Sequence, residues 1–188
     1  QAVEIDRLSQ QPVVQDLLSL TRALIHPADR ISWLAILRAP WCGLTLADLH
    51  ALAANNRDTA VFDLLREESR IKQLSMDGQQ RLQRVLPVLE KVIAQRGRQF
   101  LRSWVEGAWL SLGGPACLHS QSDRENAEIF LGLLQEIDEK GEVVTPEVLE
   151  GQVASLFARP DVEADGRLQI MSMHKSKGLE FDTVILPG

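Results

Sequence analysis

Residues 168–188 read Leu168-Gln169-Ile170-Met171-Ser172-Met173-His174-Lys175-Ser176-Lys177-Gly178-Leu179-Glu180-Phe181-Asp182-Thr183-Val184-Ile185-Leu186-Pro187-Gly188. Two short apolar runs, Leu168 to Met173 and Thr183 to Leu186, flank a polar turn carrying His174, Lys175, Lys177, Gly178 and Glu180. Their length and β-branched content predict buried strands. Strand, glycine-bearing loop, strand is how α/β nucleotide enzymes place polar groups at the edge of a sheet. By composition alone the segment reads equally as a polar hairpin with a surface histidine and two solvated lysines. Nothing earlier in the chain has this pattern.

The run His174 to Phe181 resembles motif V of superfamily 1A DNA helicases of the UvrD/Rep type, most closely in the exonuclease V β-subunit branch. Eight consecutive positions match, between the two expected strands. The family usually has a threonine two positions before the histidine; Ser172 stands there and keeps the hydroxyl. Ser172 and His174 can donate hydrogen bonds to a phosphate of a single strand, which positions nucleic acid without reading its sequence. Lys175 and Lys177 add charge that makes affinity fall with salt. Gly178 permits a backbone conformation or a close approach that a Cβ would forbid. Glu180 can accept a hydrogen bond from a ribose hydroxyl, as acids do in other nucleotide folds. The resemblance implies that Gly178 and Glu180 face ATP while Ser172, His174, Lys175 and Lys177 face DNA. Such a loop couples nucleotide state to strand grip.

Composition bounds the rest. The chain has 188 residues, 45% hydrophobic and 24% charged, which suits one soluble globular domain or one and a fraction. Its net charge of −6 excludes a surface coated with nucleic acid. Arg167, Lys175 and Lys177 against Glu180 and Asp182 leave residues 167–188 at +1 and all the others at −7. DNA contact must therefore come from local patches. Cys42 and Cys117 lie far apart, without a second Cys or His at metal-ligand spacing, so two buried thiols in a reducing compartment are expected. No apolar run reaches the length of about 18 residues that a membrane span needs, and no secretory pattern opens the chain. The expected compartment is the cytoplasm. Opening on Gln1 instead of Met predicts a piece excised from a longer protein.

Ala2 to Asp6 alternates apolar and acidic, an extended lead-in. Pro12 then suits a first helical turn, and Val13, Val14, Leu17, Leu18, Thr21, Leu24 and Ile25 recur on one helical face. His26-Pro27 stops it. Asp29 is positioned to cap the next helix, in which Ile31, Leu34, Ile36 and Leu37 surround Trp33, up to Arg38-Ala39-Pro40. Gly43 marks a turn, and Thr45 with Asp48 forms a capping box with Asp in place of Glu. Helix, glycine turn, helix with free N–H groups is a shape that takes a phosphate, although structural hairpins share it.

Asn55 to Asp58 is a turn cluster, and Val61 to Leu65 a short helix followed by a solvated charged patch. Asp77 is expected to cap a longer helix with Leu82, Val85, Leu86, Leu89, Val92 and Ile93 inside, kinked or broken at Pro87. After Gly97, Phe100 to Leu112 carries a wide apolar stripe including Trp104 and Trp109. That context makes those two and Trp33 core residues instead of base-stacking platforms; Trp41, beside a turn, stays open. Gly113-Gly114-Pro115 breaks the chain, and Ser122 to Lys140 reads as a helix with acids on its solvated face, not a metal cluster. Thr145-Pro146-Glu147 starts a last helix with Leu149, Val153, Leu156 and Phe157 inside, and Pro160 to Gly166 is an acidic linker.

The stretch Leu17 to Leu49 is similar to the helical insert of the same helicases, domain 2B. In UvrD-like members a glycine turn of this kind touches the duplex ahead, which carries over to Gly43, Leu44 and Thr45, with Arg38 a further candidate. In the exonuclease V branch the insert packs instead on a partner subunit. The resemblance implies a mainly α chain: residues 1–10 leading in from RecA-like domain 2A, 11–160 an all-helical 2B-like domain, and 161–188 a linker with the strand–loop–strand of domain 2A.

Two functions compete. One is a fragment of an ATP-dependent DNA helicase or exonuclease, using ATP and Mg²⁺ in its parent enzyme for DNA repair or recombination. Its partners would be single-stranded and duplex DNA and other exonuclease V-type subunits, with no membrane. Gly-x-x-x-x-Gly-Lys-[Ser/Thr] is absent from the sequence, so the chain alone is expected to bind no nucleotide cofactor and to hydrolyse no ATP. The other is a non-catalytic all-α module that docks protein or DNA, which gives no reason for the strand–loop–strand. A hydrolase built on Ser172 and His174 fails, because no acid is placed to orient the imidazole.

Overall fold

α1 (Pro12–Ile25) is the helix against which the others assemble, and the computed structural model describes residues 7–54, 56–141, 144–156 and 176–186. Pro12 occupies its first turn, where a missing N–H costs nothing, and His26 caps its end. Leu17, Leu20 and Leu24 are fully buried against α2 (Arg30–Arg38), α7 (Leu101–Leu112), α8 (Gln121–Lys140) and α9 (Pro146–Ala154). Each such leucine contributes about 2 kcal/mol by leaving water. The described residues form nine α-helices and no sheet.

The polar ends of these helices follow local chemistry. Asp29 accepts from Ser32 N–H and caps α2. Thr45 and Asp48 close the predicted capping box on α3 (Leu46–Ala53). Thr145 caps α9, and Ser120 with Asp123 forms a second capping box on α8. The N-terminus of α7 has no such local acceptor, since Phe100 precedes it. Asp138 of α8 serves instead, accepting from Leu101 N–H and Arg102 N–H, both at 2.9 Å. Trp104 donates its indole N–H to Val92 O at 2.8 Å and ties α7 to α6 (Met76–Ala94).

Several expectations change. Ser75, not Asp77, caps α6, because its hydroxyl reaches Gly78 N–H; Asp77 falls inside the first turn. Pro87 neither ends nor interrupts that helix, which runs unbroken from Met76 to Ala94. The charged patch after α4 (Val61–Leu64) winds into a further short helix, α5 (Glu68–Ile71), where Arg70 reaches back to Leu52 O. Ile31 is 77% exposed and Phe100 also lies in solvent, whereas Trp41 is buried. Trp33 is buried as expected, 5.0 Å from Phe62, and Trp104 and Trp109 are core residues too. Cys42 is buried and Cys117 half-buried, both as free thiols.

Thr183 to Leu186 forms no strand and is exposed along its length. An extended segment gains a ladder only from neighbouring strands, and the described residues supply none. Ala2 to Asp6, Phe157, the acidic linker and Leu168 to Met173 lie outside the described residues.

Candidate nucleic-acid interface

The turn between α2 and α3 is built by convergence on its backbone. Ala39 O accepts from both Cys42 N–H and Gly43 N–H, and Leu37 O accepts from Leu44 N–H at 2.9 Å. The reversal needs a left-handed residue, and Gly43 provides it at φ +71°. Leu44 is buried, 1% exposed, with its N–H already engaged. It anchors the turn from beneath and offers no surface to a ligand.

Two arginines of α6 hold the same turn from the side. Arg84 donates to Trp41 O at 2.7 Å, and Arg81 donates to Cys42 O at 3.4 Å while pairing with Asp77 at 2.6 Å. A Cβ on Gly43 would come within 2.6 Å of Arg81 Nη1, so the glycine also makes room for that guanidinium. Two guanidinium groups therefore sit beside the turn, one of them paired with Asp77. Spacing in the sequence gave no sign of this, because Arg81 and Arg84 lie about forty residues from the turn and read as the polar face of α6.

Asp48 joins these parts. It is 3% exposed, and one carboxylate oxygen accepts from Thr45 N–H at 3.2 Å and the Thr45 hydroxyl at 2.6 Å. The other oxygen accepts from Ser75 N–H at 2.7 Å, at the cap of α6. Burial opposes its charge, but the hydrogen bonds from Thr45 and Ser75 outweigh it and hold the carboxyl below the usual range. Gly78 is the complementary cut-out, since a Cβ there would lie 2.8 Å from the Asp48 carboxylate. With the Thr45 hydroxyl engaged on Asp48, the first two N–H groups of α3, those of exposed Leu46 and Ala47, have no acceptor among the described residues. Arg38 is exposed at the end of α2 and its side chain makes no hydrogen bond or ion pair among the described residues.

The second group of candidates divides. Ser172, His174 and Lys175 lie outside the described residues. Lys177, Gly178 and Glu180 stand on an exposed turn in which Ser176 O accepts from Leu179 N–H at 3.0 Å. Gly178 takes its third position at φ +86°, where a type II turn needs positive φ. The turn thus gathers Lys177 and Glu180 around a glycine that has open space about its Cα, unlike Gly43.

Residues 3–188 match the family model of the UvrD-like helicase C-terminal domain. The chain belongs to that family. As a UvrD-like helicase C-terminal domain it is similar, at 28% identity over 94% of its length, to an ATP-dependent helicase/nuclease of Ruminiclostridium cellulolyticum. It is similar at 26% identity over 95% of its length to ATP-dependent DNA helicase Rep of Escherichia coli. A shorter stretch, 37% of the chain, is 37% identical to ATP-dependent DNA helicase PcrA of Leuconostoc citreum. These relatives are superfamily 1A helicases. The chain spans 15% of the first relative and 29% of the second.

Proposed function

We propose that this UvrD-like domain supplies the duplex-gripping helical insert and the coupling loop of an ATP-dependent DNA helicase, of the helicase/nuclease or exonuclease V β type, acting in repair or recombination. The observation that carries the reading is the family match over residues 3–188, together with a locked Gly43 turn followed by two helix N–H groups that have no acceptor among the described residues. A duplex phosphate docks on the N–H groups of Leu46 and Ala47, with the Gly43 turn setting their position and the exposed Arg38 supplying charge. Thr45 acts through the cap it makes. Such contacts fix register without reading bases.

At the other site, Ser172, His174, Lys175 and Lys177 hold a single strand, and Gly178 and Glu180 face the nucleotide. The exposed Glu180 carboxylate fits a ribose hydroxyl, and the space over Gly178 Cα is open. Neither residue fits a triphosphate with Mg²⁺, and the sequence has no phosphate-binding lysine loop, so those groups belong to other parts of the parent enzyme. There, ATP supplies the phosphoryl-transfer energy; this chain's residues orient one edge of it. Alone, the chain turns over no ATP.

Ala47→Glu tests the duplex site. A carboxylate in the first turn favours the α3 dipole but repels a phosphate, so folding is preserved while binding is not. Fluorescence anisotropy with a labelled forked duplex should show affinity about tenfold lower with an unchanged Tm, and a shallower dependence on salt. Unchanged duplex affinity removes the turn from the DNA interface.

A further inference from the structure

α2 and α3 leave between them an open groove of about 610 Å³, floored by Leu34, Ala35, Leu49 and Ala53. Its two walls repeat at helical spacing. Residues 30, 34, 35 and 38 line one face of α2, and residues 46, 49, 50 and 53 line one face of α3. At the rim stands Leu46, 67% exposed, among the large apolar side chains that the fold leaves in water. Two parallel apolar stripes with room between them form the seat that a third helix fills.

The charge at this groove is one-sided. Arg30, Arg38, His50 and Arg57 line it, and among the described residues no acidic one does, in a chain of net charge −6. Arg30 is engaged on the carbonyls of Ala53 and Thr59. The side chains of Arg38, His50 and Arg57 make no hydrogen bond or ion pair among the described residues. Intramolecular ion pairs do occur elsewhere on the surface, as between Arg66 and Glu90 or Arg70 and Glu67, so bare guanidinium groups are not the rule here.

We propose that this groove docks an amphipathic helix of a partner protein, with leucine-like residues on its buried stripe and glutamate or aspartate along both flanks. The apolar floor selects a helix over a nucleic-acid backbone, which has no face to place there. The basic rim selects an acidic helix and sets its register, while the buried apolar residues contribute most of the affinity. With each wall about 12–13 Å long, the partner contributes some two to three turns. This surface shares Arg38 and Leu46 with the DNA reading at its near end, while its far end, at Arg57, is separate from the Gly43 turn in sequence and beyond the opposite end of α3.

The test uses the 188-residue chain and a labelled amphipathic peptide of about 18 residues, five helical turns, with Leu at i, i+3, i+4, i+7 and Glu on its flanks. Saturable binding is expected, weakened about tenfold by Leu46→Glu and by Arg57→Glu, each checked for an unchanged Tm. Arg57→Glu should leave forked-duplex affinity unaltered, and Ala47→Glu should leave peptide affinity unaltered, so the two readings fail separately. No binding, or binding indifferent to both substitutions, overturns the proposal. Equal affinity for a peptide with Lys in place of Glu reduces the groove to a non-selective apolar surface and also overturns it. Displacement of the peptide by duplex in proportion to duplex occupancy would make the groove part of the DNA site. A longer parent chain that no longer binds the peptide would show the groove filled by the parent's own residues. Either result rejects the partner.

Discussion

The Gly43 turn and the Gly178 turn both rest on a glycine at positive φ, and there the likeness ends. The first has its carbonyls held by Arg81 and Arg84 and its caps tied together by a buried carboxylate. The second is exposed to solvent, with Leu179 N–H donating to Ser176 O across it. A rigid turn suits a task that never changes, such as holding a phosphate of a duplex at a fixed register. A loop with little support of its own takes its shape from what surrounds it, which suits an element that answers to nucleotide state. The contrast lies in how many groups determine each backbone, and that can be counted by removing them.

Asp48→Ala should break the contrast most. It strips acceptors from Thr45 N–H, the Thr45 hydroxyl and Ser75 N–H at once, in a site that water does not reach. Loss of about 3 kcal/mol is expected, a fall in Tm of about 6–12 °C, read by urea and thermal unfolding. Glu180→Ala should change stability by no more than about 0.5 kcal/mol. The Asp48 carboxyl is held below its ordinary value of 3.8, so its contribution is whole above that pH and drains away as pH falls through the lower folded value. Asp29 and Asp123 are depressed in the same sense and steepen the same acid limb. Asp48→Asn should flatten it. An equal loss from Glu180→Ala would mean that the exposed turn is part of the fold's framework.

The glycines give a finer comparison. Gly43→Ala meets both a strained φ and the Arg81 guanidinium, which must swing off the Cys42 carbonyl. A cost of about 1–2 kcal/mol in global stability is expected. Gly178→Ala meets the same φ penalty in open space. It should leave global unfolding untouched, because a loop that opens independently does not share the cooperative transition. Equal shifts in Tm would show the two turns to be equally integrated.

What the sequence disclosed follows the same line. Helix starts were legible at Pro12, Asp29, Thr45 with Asp48, and Thr145, which all act within three residues of themselves, whereas the equally local box of Ser120 and Asp123 on α8 was not. Ser75 and Asp77 both fit a capping pattern, and only the structure separates the residue before the helix from one within it. The cap that Asp138 places on α7 was illegible, since its partners are 36 and 37 residues away and it reads as one more solvated acid. Ile31 was misplaced because periodicity marks a helical face but not how wide a neighbour covers it. At the candidate site, the turn and its glycine were visible, whereas Arg81 and Arg84, which hold it, were not. The loop at 174–181 was the reverse: its chemistry lies in consecutive residues, and its fold depends on strands that the described residues do not provide.

The smallest expected effect concerns a carboxylate in the helical body that lacks the partners Asp48 has. Asp16, on α1, is only half-buried, yet loss of hydration pushes its pKa up to about 6. No hydrogen bond or ion pair reaches its side chain among the described residues. Asp48 accepts hydrogen bonds from Thr45 and Ser75 and keeps its charge at lower pH than usual. Donors around a carboxylate set the sign of its shift, and Asp16 has none among the described residues. With a folded value above the unfolded 3.8, Asp16 burdens the fold fully above about pH 6 and ceases to do so as pH falls towards 3.8. Asp16→Asn should raise stability at pH 7 by about 1 kcal/mol, once solvent screening of a partly exposed group is allowed for, or about 2–4 °C in Tm. The gain should vanish near pH 4, where the native side chain is neutral in the fold and the penalty on its charge is gone. A gain that persisted there would trace the effect to packing instead of charge. Asp16 would then no longer be the counterpart that shows what Thr45 and Ser75 do for Asp48.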